Sequence, residues 1–285
     1  MMIADSELIL NADGSIYHLN LLPEDLAPTI IFVGDPDRVA DVSRYFDRID
    51  IKKGKREFIT HTGSLRGKRI SVISTGIGTD NIDIVFNEID ALVNIDFTTR
   101  TLKTDLTSLD IIRIGTSGSI QGDIKMGTIL ASAYGIGFDA LMQYYVKPYS
   151  AEEEKIQHEV QQHFDTLTFT PYVGSASPRL LDQIAADLPK GITMTAPGFY
   201  GPQGRSVRSI NVYPDLIQKA NSLSLEGRQI TNLEMETAGI YALANMFGHH
   251  ALSINAILAS RVHDAFADNP KEIVDQAIRY VLDRL

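Results

Sequence analysis

The stretch Ile111-Ile112-Arg113-Ile114-Gly115-Thr116-Ser117-Gly118-Ser119 decides how the chain is read. Its three isoleucines mark a buried β-strand, and Arg113 stands in the middle of it. A buried arginine without a counter-charge is costly, so an anion has to meet this one. From Gly115 to Ser119 glycines alternate with hydroxyls, which reads as a loop at the strand's carboxyl end. A buried structural carboxylate is one candidate partner for Arg113. The hydroxyls and backbone N–H groups gathered at the same place favour the other, a compact oxygen-rich anion such as phosphate.

Working outward, strand-like and helix-like segments alternate. Thr29–Gly34 is a short apolar run ending in glycine, and the segment from Pro36 carries Val39, Val42 and Phe46 at helical spacing. Residues 58–65 and 69–75 flank Arg66-Gly67-Lys68 as a hairpin. Ile82, Val85, Phe86, Ile89 and Val93 define an amphipathic helix. Further strands are expected at 127–135, 171–177, 191–196 and 251–260, with helices at 150–163, 178–188, 237–247 and 271–285. This order implies a single α/β domain over residues 1–285, with a mixed central sheet covered by helices on both faces. The threonine-rich stretch Asn94–Leu109 reads as a surface insertion.

The net charge of −10 argues against a nucleic-acid partner, which needs a broad basic face. It leaves room for a small anionic ligand held by a few arginines. The absence of cysteine removes disulfides, thiolate nucleophiles and cysteine metal sites. The seven histidines show no metal spacing, so no metal site is expected. The N-terminal residues carry no basic region ahead of an apolar run, and no stretch approaches the roughly 20 apolar residues of a membrane helix. A soluble cytoplasmic protein is the expectation.

In an α/β sheet, ligands bind at the carboxyl ends of strands, and the unusual residues fall there. Gly34-Asp35-Pro36-Asp37-Arg38 ends a strand and opens a helix, a place that favours an anion or serves as an ordinary helix start. Ser74-Thr75-Gly76-Ile77-Gly78 ends another strand and lacks the dinucleotide-binding spacing. In the Gly/Pro-rich segment 198–205, Gln203 and Arg205 suit a flat base carrying carbonyl and N–H groups, and Phe199 suits stacking on it. An ordinary polar loop is the alternative. Glu234-Met235-Glu236 stands between a polar loop and an apolar helix, as helix-start carboxylates or as a clamp for the vicinal hydroxyls of a sugar.

Taken in order, YHLNL from Tyr17, GDPDR (34–38), KREF (55–58), STGIG (74–78), RIGTSGSIQ (113–121), GFYGPQGR (198–205) and EMETAG (234–239) resemble the nucleoside phosphorylase family, closest to its uridine phosphorylase branch. The resemblance implies a three-layer α/β/α sandwich. It implies phosphate held by Gly34, Arg38, Arg113 and Thr116, with Arg56 reaching in from a neighbouring subunit. Ribose is implied at Met235 and Glu236, with His18 contributed across the same interface. Ser117, Gly118, Phe199, Gln203 and Arg205 match the base-binding positions, and Arg113, Gln203 and Arg205 the catalytic ones. A homodimer or homohexamer with shared sites follows from the same resemblance.

The implied reaction is phosphorolysis of a pyrimidine nucleoside, uridine and phosphate giving uracil and α-ribose 1-phosphate, with inversion and no cofactor beyond inorganic phosphate as co-substrate. The chain departs from the pattern in places. Ala256–Arg261 lacks the aspartate that purine enzymes carry there, although Asp264 follows. Ala196-Pro197-Gly198 replaces a more polar segment before Phe199. Glu57, Ile77 and Asn81 fall where some relatives hold a monovalent cation, with Asn81 in place of a small hydroxyl residue, which weighs against the ion. A purine phosphorylase, a nucleoside hydrolase of the same fold and a non-catalytic nucleoside-binding protein remain the alternatives.

Overall fold

A computed structural model describes residues 2–225 and 227–285. The chain groups into two compact units. One runs to Ile112 and includes Phe247–His250; the other comprises Arg113–Met246 and Ala251–Leu285.

In the first unit the apolar run Thr29–Val33 (β1) is a strand with four fully buried residues. Pro36–Ser43 (α1) follows directly, with Pro36 in its first turn and the Asp35 carboxylate accepting from Asp37 N at 3.0 Å. Arg48–Lys55 (β2), Phe58–Leu65 (β3) and Lys68–Ser74 (β4) form an antiparallel meander, and β4 pairs in parallel with β1. Arg66 and Gly67, at φ +51° and +80°, make the expected tight turn in the left-handed conformation that twisted hairpins favour. Thr79–Asn94 (α2) buries Ile82, Val85, Phe86, Ile89 and Leu92 along one face. Val93, the last residue of the expected stripe, is only half-buried.

The segment 94–109 contains a small hairpin of Ile95–Asp96 (β5) and Thr101–Leu102 (β6) and is mostly exposed. Arg100 at its turn donates to the carbonyls of Ile3, Ala4 and Leu8, which ties the N-terminal segment down. Strand β2 has no local signature: its residues alternate between exposed and half-buried and show no apolar run.

The second unit corrects the reading of the decisive stretch. Asp110–Ser119 (β7) is one unbroken strand, and the glycines and hydroxyls lie within it. The other strands are Ile129–Gly137 (β8), Tyr172–Ser175 (β9), Lys190–Thr195 (β10), Ser224–Leu225 (β11), Arg228–Glu234 (β12), His250–Ser260 (β13) and Ala265–Phe266 (β14). The helices are Ala151–His163 (α3), Pro178–Ala185 (α4), Leu216–Ser222 (α5), Thr237–Phe247 (α6) and Pro270–Leu282 (α7).

Strands β12, β10, β8, β13 and β7 follow one another edge to edge. The far end of β7 then pairs back onto β12 through Gly118↔Leu233 and Ser119↔Asn232, closing a ring. Glycine inside a strand commonly marks such a bend, which is why Gly115 and Gly118 read as a loop. Pairing is parallel for β8–β10 and β10–β12 and antiparallel for β8–β13 and β7–β12. An apolar cluster that includes Ile136, Val160, Phe164, Ile192, Met194 and Leu233 packs behind these strands. Among the described residues no helix is long and apolar enough to cross a membrane.

Helix α6 lies unusually close to β8 and β9. A Cβ on Gly135 would sit 2.7 Å from Ala238 Cα, and one on Gly174 2.7 Å from Tyr241 Cβ. The close approach lets the Tyr241 hydroxyl donate to Ser132 O at 2.6 Å and accept from Ser253 N at 2.8 Å. Gly135→Ala is therefore expected to push α6 off the sheet and lower the unfolding free energy by about 1–3 kcal/mol in urea titrations.

Candidate active site

Arg113 lies on β7 and is 5% exposed. Its guanidinium folds back along its own strand over Gly115, where a Cβ would fall 1.8 Å from Nη1. A side chain at that position would displace the guanidinium from its carboxylate partners, which gives the glycine after Ile114 its reason. Nη2 donates to Glu236 Oε2 at 2.6 Å and lies 3.0 Å from Glu234 Oε2. Nη1 donates to Asn255 Oδ1 at 3.2 Å and Ser253 Oγ at 3.4 Å. Burial alone would lower the Arg113 pKa; the Glu234 and Glu236 charges outweigh it and hold the group above its usual value. Both readings of Arg113 thus start from a real feature: the buried carboxylate partner exists, and it is a pair.

Glu234 ends strand β12 and does not follow a polar loop as expected from the sequence; α6 begins at Thr237. Residues 228–234 mix polar and apolar types, so the strand was not legible. The Glu234 carboxylate still serves the helix start. Its oxygens accept from Glu236 N and Thr237 N at 3.0–3.1 Å and from Thr195 Oγ1 at 2.7 Å. Met235, between the two glutamates, is half-buried.

Thr116 is half-buried, while Ser117 and Gly118 are buried beyond it on β7. Ser117 Oγ accepts from Asn232 Nδ2 at 2.9 Å. A Cβ on Gly118 would lie 3.7 Å from Arg261 Cγ.

The 198–205 segment forms a single short helical turn at Gly201–Gln203, with Gly204 left-handed at φ +68°. Gln203 is buried, and its Oε1 accepts from Arg205 Nη1 at 2.6 Å. Arg205 also donates to Phe199 O at 2.6 Å and stacks over the half-exposed Phe199 ring at 3.9 Å. Arg205 therefore touches both other residues singled out in the sequence. Arg261 joins them, donating to Gln203 O at 2.8 Å. Sequence reading met Arg261 only as the end of Ala256–Arg261 and missed its place here. Burial lowers the Arg205 pKa, and the neighbouring Arg261 charge lowers it further. Two guanidinium groups at one place suit an electron-rich ligand. Asp264 is exposed, in a left-handed turn at φ +49° between β13 and β14.

The remaining candidates lie in the first unit. Gly34 follows β1 so closely against Gly76 that a Cβ would meet Gly76 O at 3.3 Å, and Arg38 is half-buried on α1. Arg56 is exposed in a left-handed turn between β2 and β3 at φ +56°. His18 Nδ1 lies 2.7 Å from Glu88 Oε1 on α2, and the backbone N–H groups of His18 and Leu19 donate to the same carboxylate. Glu88, one turn along the apolar stripe of α2, carried no signal of this role in the sequence. Asn81 Nδ2 donates to Ile77 O at 3.4 Å. Among the described residues, no group of three or more His, Asp or Glu could hold a metal ion.

The family model described as "Phosphorylase superfamily" matches residues 28–284, a span that runs through both units. A crystal structure of a Trypanosoma brucei nucleoside phosphorylase, described as showing uridine phosphorylase activity, superposes with a TM-score of 0.90. It is 31% identical and covers 98% of this chain and 99% of its own. The uridine phosphorylase of Thermococcus kodakarensis is 29% identical over 257 residues, 89% of this chain and 80% of the relative. A purine nucleoside phosphorylase of Hahella chejuensis is 28% identical over 198 residues, 65% of this chain and 78% of the relative. The fold is the α/β/α sandwich with a mixed sheet expected from the sequence.

Glu234 carries two duties, countering Arg113 and capping α6. Glu234→Ala is expected to lower the unfolding free energy by about 2–4 kcal/mol, measured by urea titration, because a buried cation loses one counter-charge and helix N–H groups lose their acceptor.

Proposed function

The chain belongs to the phosphorylase superfamily, and on that premise we propose that it splits a pyrimidine nucleoside with inorganic phosphate. Uridine and phosphate would give uracil and α-ribose 1-phosphate. The observation that carries the pyrimidine reading is the contact of Gln203 with Arg205 and Arg261 beside the Phe199 ring. An amide and two guanidinium groups match the carbonyl oxygens and N–H group of a uracil ring.

Breaking the N-glycosidic bond develops positive charge on ribose and negative charge on the base. In the proposed reaction, phosphate held by Arg113 and Thr116 sits beneath the anomeric carbon, stabilises the first charge and attacks with inversion. Gln203, Arg205 and Arg261 face the second as fixed donors, which need no reorganisation when the charge appears. Glu236 and Met235 hold the ribose, Glu236 as acceptor for its hydroxyls. Holding both reactants together removes much of the entropic barrier.

Arg56, exposed in a left-handed turn, and His18 complete the site of a second copy in this reading, so the working unit is a homodimer or a homohexamer built from three dimers. No cofactor takes part, and the enzyme acts in the cytoplasm. A purine substrate would want an acid near the leaving base. Residues 256–261 supply none, and the nearby Asp264 is exposed.

The test is release of free base from uridine, thymidine and inosine, each with and without phosphate. Uracil release that requires phosphate and saturates with it is the expected result. Release from inosine in preference to uridine, or release without phosphate, would overturn the assignment.

A further inference from the structure

The turn that carries the base cluster borders an apolar cavity of about 410 Å³. Gly201 and Pro202, within the turn, line it together with Phe138 just past β8, Phe169, and Leu216 on α5. Phe138 and Leu216 belong to the apolar cluster behind the ring strands. Phe169 packs against that cluster, its ring centroid 6.0 Å from that of Phe138. The cavity is thus an unfilled notch in the core of the second unit, and apolar walls left in contact with water favour a cover.

Ile210 and Val212 also line this cavity, yet they are 96% and 84% exposed. They belong to the stretch 207–212, which lies in no helix or strand. Among the described residues, no backbone N–H or C=O of this stretch pairs with another backbone group. One side-chain bond ties it to its own start, Ser206 Oγ donating to Ser209 O. Segments with exposed backbone and few buried contacts move at small free-energy cost. The stretch already meets the turn, since a Cβ on Gly201 would lie 3.4 Å from Asn211 Oδ1. At its other end the turn is pressed against α5, where a Cβ on Gly204 would sit 2.9 Å from Ile217 Cγ1. The turn therefore rests on a helix at Gly204 and on an unfilled cavity at Gly201 and Pro202.

We propose that residues 207–212 are a lid that turns inward, seats Ile210 and Val212 in the cavity and clamps the Gly201–Gln203 turn. Both side chains already stand at the cavity, so rotation of the stretch suffices and no backbone pairing has to break. Closure removes two apolar surfaces from water at once, the walls and the lid residues. Phe199, Gln203 and Arg205 lie in or beside the clamped turn, so the lid sets how firmly the base cluster is held. Val207, 83% exposed and outside the cavity lining, stays in water. What the closed lid holds rests on the phosphorolysis reading; the closure itself does not.

The chain has no cysteine, so introduced pairs report without interference. Leu167 is part of the cavity wall. Under mild oxidant and without nucleoside, Ile210→Cys combined with Leu167→Cys should cross-link at least about tenfold faster than Val207→Cys combined with Leu167→Cys. No cross-link in the first pair, or equal rates in both, would refute closure. Ile210→Asp brings a charge that the apolar cavity rejects. Its urea midpoint should match the wild type, because the open lid leaves this side chain in water. Its uridine KM should rise at least about tenfold while the phosphate KM stays within about threefold, and Ile210→Val, which keeps the apolar cover, should behave as wild type. An unchanged uridine KM in Ile210→Asp would overturn the lid's hold on the base. A smaller assembly in that variant by light scattering would make the patch a subunit contact and overturn the lid. A wild-type protein that releases no uracil with phosphate would retire the phosphorolysis reading instead, and the cross-linking would still decide closure.

Discussion

A guanidinium group buried against two buried carboxylates makes demands that much of the second unit meets. Arg113 touches Glu236 and Glu234, and all three side chains are nearly inaccessible. Removing such charges from water costs several kcal/mol per ion, which mutual attraction offsets only when hydrogen bonds satisfy what remains. The structure supplies those bonds. Asn255 and Ser253 take the second nitrogen of Arg113, Thr195 and two helix N–H groups take Glu234, and Gly115 leaves the space the guanidinium occupies. With one cation against two carboxylates the cluster carries an excess of acceptors, which hydroxyl donors can use.

Such a cluster needs backbone that holds it from several sides. Closing β7 back onto β12 brings Glu234, at the end of β12, to the strand that carries Arg113. The close packing of α6 over Gly135 and Gly174 then brings the Glu234–Thr237 corner into place. Gly115, Gly135 and Gly174 thus serve geometry as much as flexibility, since each marks where a helix or the guanidinium approaches closely.

Much of this was legible in the sequence. The apolar runs at β1 and β10, the helical stripe of α2 and the Arg66-Gly67 turn each followed from a local pattern, and the structure reproduces them. The clustering of Phe199, Gln203 and Arg205 followed from residue chemistry within eight positions. What escaped depends on distant partners. β2 and β12 bury little or mixed surface, so periodicity did not separate them from loops. Gly115–Ser119 looked like a loop because ring closure, which keeps it in a strand, depends on pairing more than 100 residues away. Glu88, Arg261, Asn232 and Asn255 each acquire meaning only through the residue they touch.

If the acid-held arginine is the phosphate site, its fork geometry should matter beyond its charge, because a lysine at the same position is a point donor and cannot span carboxylate and phosphate together. The most direct measurement is calorimetric titration of inorganic phosphate into the wild-type protein and into Arg113→Lys, with folding of both confirmed by circular dichroism. Saturable binding to the wild type, weakened at least about tenfold in the variant, is expected. Equal affinity in two folded proteins would contradict the role of Arg113 as the phosphate anchor.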